Sequence, residues 1–567
     1  DARASQEEER DEAWAQEEVL DTAEAIASFI EREPAAFSLH RDSDALCLAD
    51  SFGRQARIAL QGDLLSPGMD ERSALDALRP WLEGGAQKRL FDVKGWRTHL
   101  KAMGFLLAPP YMDVSIAGYL IEPSDSASAE KLCDRQLGAP ASAKSLFRLA
   151  DELTRKLEDQ GMKALFEEVE MPLCAVLFDM EQEGFRVDRA ALVQLQDLFG
   201  AKIAQLQQSI YDVTGEVFNI LSPKQLGAVL FEKLGLPAGR KTKSGYSTDA
   251  EVLEGLAQAH PVVPLVLQYR AFTKLKSTYV DGLLKLSDER GVIHTTLNQT
   301  VTVTGRISSA EPNLQNIPVR TELGRELRKV FVPRDEDHVL VDADYSQIEL
   351  RVLAHMADER NMIDAFLKGQ DIHARTAAQV YDVPLEEVTA QMRSSAKAVN
   401  FGIVYGISDF GLARNIGVSR KEAAAFIDRY FARYPRIKAY MEECVRLGHE
   451  QGYVSTLLGR RRNLPELSSS NYQTRSFGER AAMNTPIQGT AADIIKIAMV
   501  RVAQALRDEG LDARLILQVH DELIVDAPLG EAERVSALLK REMENAVNMS
   551  VPLTAEVKTG RSWYETK

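Results

Sequence analysis

Apolar positions along the chain follow two rhythms. Between residues 163 and 215 they return every three or four positions, which predicts long amphipathic helices, broken at Gly184. Between 36 and 165, short apolar runs (45–48, 58–60, 90–91) are mixed with helical stretches, the pattern of an α/β or α+β domain. Residues 1–33 read as an acidic, Ala/Glu-rich helix of weak periodicity, and 122–143, rich in Ser, Ala and Pro, as a loop or partial linker. Helical stretches return between 216 and 290 around a basic run, Gly239-Arg-Lys-Thr-Lys-Ser-Gly245. That run suits a phosphate-contacting tip and equally an ordinary solvated loop. Two further places carry β-type runs, 339–345 and 515–525, the second reading as a hairpin around Gln518–Glu522. No internal repeat and no low-complexity tract interrupts this order.

A length of 567 residues predicts three to four domains at roughly 150 residues each. Hydrophobic residues at 45% and charged residues at 27% are those of a globular chain, which sets aside disordered and fibrous classes. Cys47, Cys133, Cys174 and Cys444 lie far apart without a Cys-x-x-Cys pair, so a structural zinc site or disulfide framework is not expected and a reducing cytosol is. No apolar run approaches the roughly 18 residues of a membrane span, and the first 30 residues are acidic rather than signal-like. The chain begins at Asp1 without Met, which suggests a trimmed piece of a longer protein.

A net charge of −16 argues against nucleic acid, but its distribution weakens the objection. Residues 1–50 hold 4 Lys/Arg against 15 Asp/Glu, so most of the acidity belongs to one end and a basic groove remains compatible with the rest. Phosphate-loop, zincin and nucleophile-elbow motifs are absent.

Three segments carry chemistry. In 339–351 an apolar strand runs into Asp344 ahead of helical sequence; the carboxylate suits a hard cation, or else a helix cap. In 515–525 two apolar runs flank His520, Asp521 and Glu522, where adjacent carboxylates repel unless solvent or a cation relieves them. Should Asp521 meet Asp344 across a sheet, the two could hold a pair of Mg²⁺ ions about 3.5–4 Å apart, the arrangement that serves phosphoryl transfer. In 392–406, Arg393, Lys397, Phe401 and Tyr405 fall four apart, drifting only about 40° per step on one helix face. Two cations so spaced repel by a few tenths of a kcal/mol, a repulsion that a triphosphate would turn into binding. The alternative, an exposed basic patch leading into core aromatics, is equally open for this helix alone.

Together these segments resemble motifs A, B and C of family A DNA polymerases: Asp344-Tyr-Ser-Gln-Ile-Glu-Leu-Arg351, Arg393-x-x-x-Lys-x-x-x-Phe-Gly-x-x-Tyr-Gly406 and Gln518-Val-His-Asp-Glu522, in the family's order. Thr304-Gly-Arg-Ile-Ser-Ser309, Pro312-Asn-Leu-Gln-Asn-Ile-Pro-Val-Arg320, Asp371-Ile-His373 and Asn484-Thr-Pro-Ile-Gln-Gly-Thr-Ala-Ala-Asp493 extend the likeness, which covers about 165–567. The resemblance implies an α/β multidomain right hand preceded by an RNase H-like 3′–5′ exonuclease-type domain. By position these are a degenerate exonuclease-like domain at 1–165, the start of the polymerase domain at 166–189, a thumb at 190–285, palm at 286–353 and 485–567, and fingers at 354–484.

The same resemblance implies a DNA-directed DNA polymerase that releases pyrophosphate. Asp344, Asp521 and the Tyr345 carbonyl would hold two Mg²⁺, with Mn²⁺ as a substitute and Glu522 as a catalytic neighbour. Arg393, Lys397, His373 and Arg320 would grip the triphosphate. Phe401 would stack on the nucleotide and Tyr405 guard the template base position, while Glu349 and Gln347 belong to the nucleotide site, Glu349 blocking a 2′-hydroxyl. Phe401, rather than Tyr, goes with discrimination against dideoxynucleotides. Arg306, Asn313, Gln315, Asn484, Gln488 and His520 would contact primer–template DNA. The implied protein is a monomer of the cytoplasm and nucleoid, with deoxynucleoside triphosphates and no membrane as partner.

The pattern breaks in the first 165 residues. A proofreading site needs Asp-x-Glu on an early strand, and that stretch reads Ala36-Phe-Ser-Leu-His-Arg-Asp42. Asp92 matches a second aspartate and Phe147-x-x-x-Asp151 stands in for Tyr-x-x-x-Asp. Two isolated carboxylates cannot build a two-metal nuclease, so exonuclease activity is expected to be lost. The 5′-nuclease domain many bacterial members carry upstream has no counterpart in this sequence. Competing readings are a single-subunit RNA polymerase, against which Glu349 and His520-Asp-Glu522 speak, a catalytically dead primer–template binder, and a proofreading exonuclease.

Overall fold

The computed structural model describes residues 16–60, 68–123, 128–238, 241–242, 245–318 and 322–567. Arg320 and most of the basic run 239–245 lie outside them.

Alternation of buried residues (Phe37, Leu39; Leu46, Leu48; Ala56, Ile58) folds the early strands Ala36–Arg41, Ala45–Asp50 and Gln55–Ala59 into an antiparallel meander. Gln87–Leu90 and Tyr111–Asp113 extend it in parallel on one side, and Glu17–Val19 on the other. The helix Ala143–Asp159 lies against the sheet and buries Leu146, Phe147, Leu149, Ala150, Leu153 and Leu157. Beneath, the fully buried Trp81 packs on Phe37 and donates its indole N–H to the Ile30 carbonyl at 3.0 Å. This core continues past residue 165 through Phe166, Val169, Met171 and Cys174.

Two expectations fail here. Residues 1–15 of the expected acidic helix lie outside the described residues; in the described remainder Glu17–Val19 is an edge strand, and the helix is confined to Ala23–Ile30, capped by Thr22. Backbone pairing with 55–57, a long-range effect, overrides local propensity. The expected linker contains the helix Ala129–Leu137, whose Leu132 fits so closely over Gly118 that a Cβ there would lie 2.7 Å from it. Only Ala129, Leu132 and Cys133 are buried in this helix, too few to show through the Ser/Ala/Pro composition.

Helical sequence from Lys163 to Glu183, with a π turn at Phe166–Glu170, stops at Gly184. There φ is +66° and a Cβ would lie 2.6 Å from Val292 and 2.7 Å from the Ile293 carbonyl, so the break is a close approach only glycine permits. The helices Arg189–Thr214 and Val262–Lys274 then pack together, with a satellite core of Ile210, Ile220, Leu226, Leu230 and Val266 at their far end.

The site is positioned by a four-stranded antiparallel sheet in the order Arg514–Val519, Glu522–Pro528, His338–Tyr345, Ala555–Gly560. One face, including Val339, Val341, Ala343 and Tyr345, packs on the long helix Tyr472–Asp508 and on Ala532–Glu544. All four cysteines are free and buried, and among the described residues no helix is long and apolar enough to cross a membrane.

Candidate active site at the carboxylate end of the sheet

Period-two alternation in His338–Tyr345 sends 339, 341, 343 and 345 into the helical layer, which leaves Asp342 and Asp344 on the other face. Tyr345 pins the strand end by donating its hydroxyl to the Met543 carbonyl at 2.6 Å. Asp344 therefore sits in a strand and caps no helix; the next helix, Ile348–Met356, has Gln347 at its N-cap with φ +54° and no side-chain cap.

Arg514–Val519 and Glu522–Pro528 form the expected hairpin, with His520 at φ +52° and Asp521 in its turn. Register sets Glu522 opposite Asp344, and the Tyr345 N–H donates to the Asp521 carbonyl at 3.0 Å. Asp344 and Asp521 thus converge. Burial, followed by the charge of Glu349 and then Asp344, pushes the Asp521 carboxyl up to about 7 against the pull of Arg306. Burial also raises Asp344, with Lys567 opposing and Glu522 adding. Neither carboxylate has an ion-pair partner among the described residues, nor is any group of three or more His, Cys, Asp or Glu arranged for a metal there. Two under-compensated hard oxygen donors fit a divalent cation that keeps water or substrate oxygens as its remaining ligands, the habit of Mg²⁺.

Glu349, buried in the first turn after Gln347, receives Arg306 at 2.6 Å and the Tyr405 hydroxyl at 3.3 Å. This links the carboxylate turn to the helix Ala390–Val404. That helix buries Ser395, Ala396, Val399, Asn400, Ile403 and Val404, which turns Arg393, Lys397 and Phe401 outward, with Tyr405 as C-cap. Lys397 is exposed and has no ion-pair partner among the described residues. Arg393 meets Asp371 at 2.7 Å, an exposed pair worth only about 0–1 kcal/mol. A cavity of about 1020 Å³ is lined by Lys397, Phe401, Tyr405 and Arg480, among others. Arg480, exposed and held by Ser476, was not indicated by the motifs.

His373 differs from its expected role. It is 2% exposed, hydrogen-bonded through Nδ1 to Asn400 at 3.0 Å, with its ring 5.7 Å from that of Phe401 at a tilt of 42°. Burial, with Lys397 and Arg393 adding, pulls it down to about 4 against Asp371, so near neutral pH it is an uncharged support beneath Phe401. Glu522 also differs: both of its carboxylate oxygens are engaged, by Trp563 and Lys567. Around the turn, Gln315 reaches the Gln518 carbonyl and amide at 3.2 Å, while Asn313 caps Leu314–Asn316. Asn484 donates to the Val404 carbonyl at 3.2 Å, and Gln488 reaches Tyr405. Burial, then Arg306, lowers His520.

In the first domain, Asp92 is a helix cap that accepts from Gly95 at 3.0 Å, and Asp151 pairs with Arg89 at 2.9 Å.

The family model described as DNA polymerase family A matches residues 189–565. The chain is 51% identical over 467 residues to the DNA polymerase I of Caldicellulosiruptor bescii, covering 80% of this chain and 55% of that one. It is 46% identical over 524 residues to the DNA polymerase I of Bacillus subtilis, covering 87% and 59%. The chain therefore spans a little over half the length of these relatives. Among solved structures, the POL domain of Pol1 from M. smegmatis, in complex with DNA primer-template and dNTP, superimposes with a TM-score of 0.88 at 39% identity, covering 97% of this chain and all of that one.

Proposed function

The chain belongs to DNA polymerase family A and has that family's right-hand fold, and from this premise we propose that it extends a DNA primer on a DNA template, adding deoxynucleotides with release of pyrophosphate. The observation that carries the reading is the convergence of Asp344 and Asp521, joined through Glu349 and Tyr405 to a cation-bearing helix. Two Mg²⁺ ions held by Asp344, Asp521 and the Tyr345 carbonyl, or Mn²⁺ in their place, would activate the attacking 3′-hydroxyl and offset charge at the α-phosphate.

The chain's own residues bind and orient. Lys397 offers an exposed positive charge to the triphosphate, and Arg393 joins by exchanging Asp371 for phosphate oxygens, a trade of one weak exposed pair for a charge-assisted one. Arg320 belongs to the same group. Phe401 stacks on the incoming nucleotide from the buried support of His373, and Tyr405 holds the template base position. Glu349, with Gln347 beside it, lies under the sugar and excludes a 2′-hydroxyl. Arg306, Gln488 and His520 read minor-groove acceptors common to every correct pair, which checks geometry rather than sequence; Asn313, Gln315 and Asn484 support that surface. In this reading 190–285 is thumb, 354–484 fingers, and 286–353 with 485–567 palm. The protein works as a monomer at the bacterial nucleoid.

The first domain, 1–165, is a scaffold without proofreading, because Asp92 and Asp151 are committed to a cap and an ion pair. Extension of a labelled primer with Mg²⁺ and dNTPs, beside a lane without nucleotides, tests both halves. Extension with no shortening is expected. Absence of extension would overturn the reading, and shortening would restore the nuclease.

Phe401→Tyr should raise incorporation of dideoxynucleotides relative to deoxynucleotides by about tenfold, the worth of one hydrogen bond at the nucleotide. Competition between ddNTP and dNTP in single-nucleotide extension reads the ratio. An unchanged ratio would remove Phe401 from the sugar side of the site.

A further inference from the structure

Glu522 is the residue next to Asp521 and lies in register with Asp344, yet its carboxylate serves neither directly. Its Oε1 accepts from the Trp563 indole N–H at 2.7 Å, and its Oε2 meets the Lys567 ammonium at 2.5 Å. The same ammonium lies 3.3 Å from Asp342 Oδ2, which also accepts from the Thr566 hydroxyl at 2.7 Å. Asp342 stands two positions before Asp344 on the same face of the same strand. One short segment therefore grips the carboxylates immediately behind both members of the Asp344–Asp521 pair.

The grip is itself anchored. Trp563 is fully buried, with Phe331 at 5.4 Å, Phe185 at 6.1 Å and the Arg328 guanidinium 4.0 Å over its ring. Its backbone N–H donates to the Phe331 carbonyl at 2.9 Å. Turning Glu522 inward would strand a buried indole N–H and an ammonium, each costly to leave unpaired. Without Lys567, Asp342 and Glu522 would lose the ammonium that bridges them, with the Arg328 guanidinium left as the nearby cation.

We propose that Trp563 and Lys567 are positioning residues for phosphoryl transfer: they fix Glu522 and Asp342, and through them the orientation of Asp521 and Asp344. This rests on the polymerase reading above. Glu522 acts through its neighbours, as a carboxylate behind the metal-facing pair. Partners of that kind set ligand orientation, and their loss characteristically weakens metal affinity or activity by about 10–100-fold.

The test uses the whole chain and three variants. Trp563→Phe keeps the ring and removes only the donor, Lys567→Met removes the cation, and Lys567→Arg retains it. Mn²⁺ affinity is read by electron paramagnetic resonance without DNA or nucleotide. Single-nucleotide extension gives kcat and the KM for dNTP, fluorescence anisotropy gives the primer–template Kd, and thermal melting checks folding. Lys567→Met should lose about 10–100-fold in Mn²⁺ affinity and kcat and Trp563→Phe about tenfold, with KM and DNA Kd within about twofold and substantial rescue by Lys567→Arg. Wild-type values for both Lys567→Met and Trp563→Phe, in an enzyme that Asp521→Asn inactivates, would overturn this inference and leave the polymerase reading standing. Losses that track DNA binding or melting in both variants would reduce the segment to a structural role and overturn it equally. A wild-type chain that never extends a primer removes the polymerase reading and this inference with it.

Discussion

Asp521→Asn and Asp344→Asn should each cut primer extension by about 10³-fold or more while leaving the fold and DNA binding in place. Each substitution keeps the side-chain shape but removes an anionic oxygen donor from a pair that, among the described residues, belongs to no cluster of three or more ligands able to hold a metal without it. Losing the charge stabilisation such a site supplies costs several kcal/mol of barrier, and each 1.36 kcal/mol is tenfold in rate, which gives the expected loss. The control is thermal. Asp521 is held up near 7 by burial beside Glu349 and Asp344, so its neutral isostere relieves a repulsion. The metal-free variant should melt no lower than the wild-type chain, and its primer–template Kd should be unchanged. Single-turnover extension, melting and anisotropy measured together decide the matter. Extension at more than about one-hundredth of the wild-type rate in either variant would make the pair structural rather than catalytic.

Much of that site could be read from the chain because its chemistry is local. The strand 338–345 and the hairpin 514–528 each show an alternation that fixes which side chains share a face, and Asp344 and Asp521 mark their ends. The helix 390–404 shows Arg393, Lys397 and Phe401 at a spacing that a single face requires. Asp342, two residues before Asp344, follows from the same period-two rule, although it lies outside the three motifs. What sequence could not show is whatever pairs over distance. Trp563 meets Glu522 across 41 positions, and Lys496 meets Glu170 across 326. The burial of His373 belongs here too, since its neighbours Asn400 and Phe401 come from another helix. The edge strand 17–19 fails for the same reason, its pairing partner lying at 55–57. Composition misled at 129–137, where a helix needs only three buried side chains to dock.

Arg460→Met should destabilise the chain by about 3–5 kcal/mol, the characteristic cost of removing one member of a buried ionic group. Arg460, Lys496, Glu170 and Asp493 have side chains between 0% and 5% exposed, and together they carry no net charge. Arg460 binds Glu170 and holds Asp493 at 2.6 Å; Lys496 meets Glu170 at 2.7 Å; Thr456 and Gln299 donate to the remaining oxygens at 2.8 and 2.7 Å. Burial alone would raise Glu170, but Lys496 and Arg460 pull it down to about 2, so the carboxylate is ionised in the interior. Removing Arg460 leaves two buried carboxylates against one ammonium. The cluster joins the π turn at 166–170, the hairpin 453–463 and the long helix 472–508, so its failure loosens three elements at once. Arg460 also packs against Gly305, where a Cβ would lie 2.7 Å from its Nε, directly before Arg306. The expected result is a lower denaturation midpoint in urea, with part of the loss recovered when Asp493→Asn restores charge balance in the double variant. Equal midpoints for Arg460→Met and wild type would show that solvent or a rearranged Lys496 compensates the charge. A double variant no better than the single one would assign the cost to lost packing at Gly305 rather than to unpaired charge, because only the electrostatic share is relieved by removing Asp493.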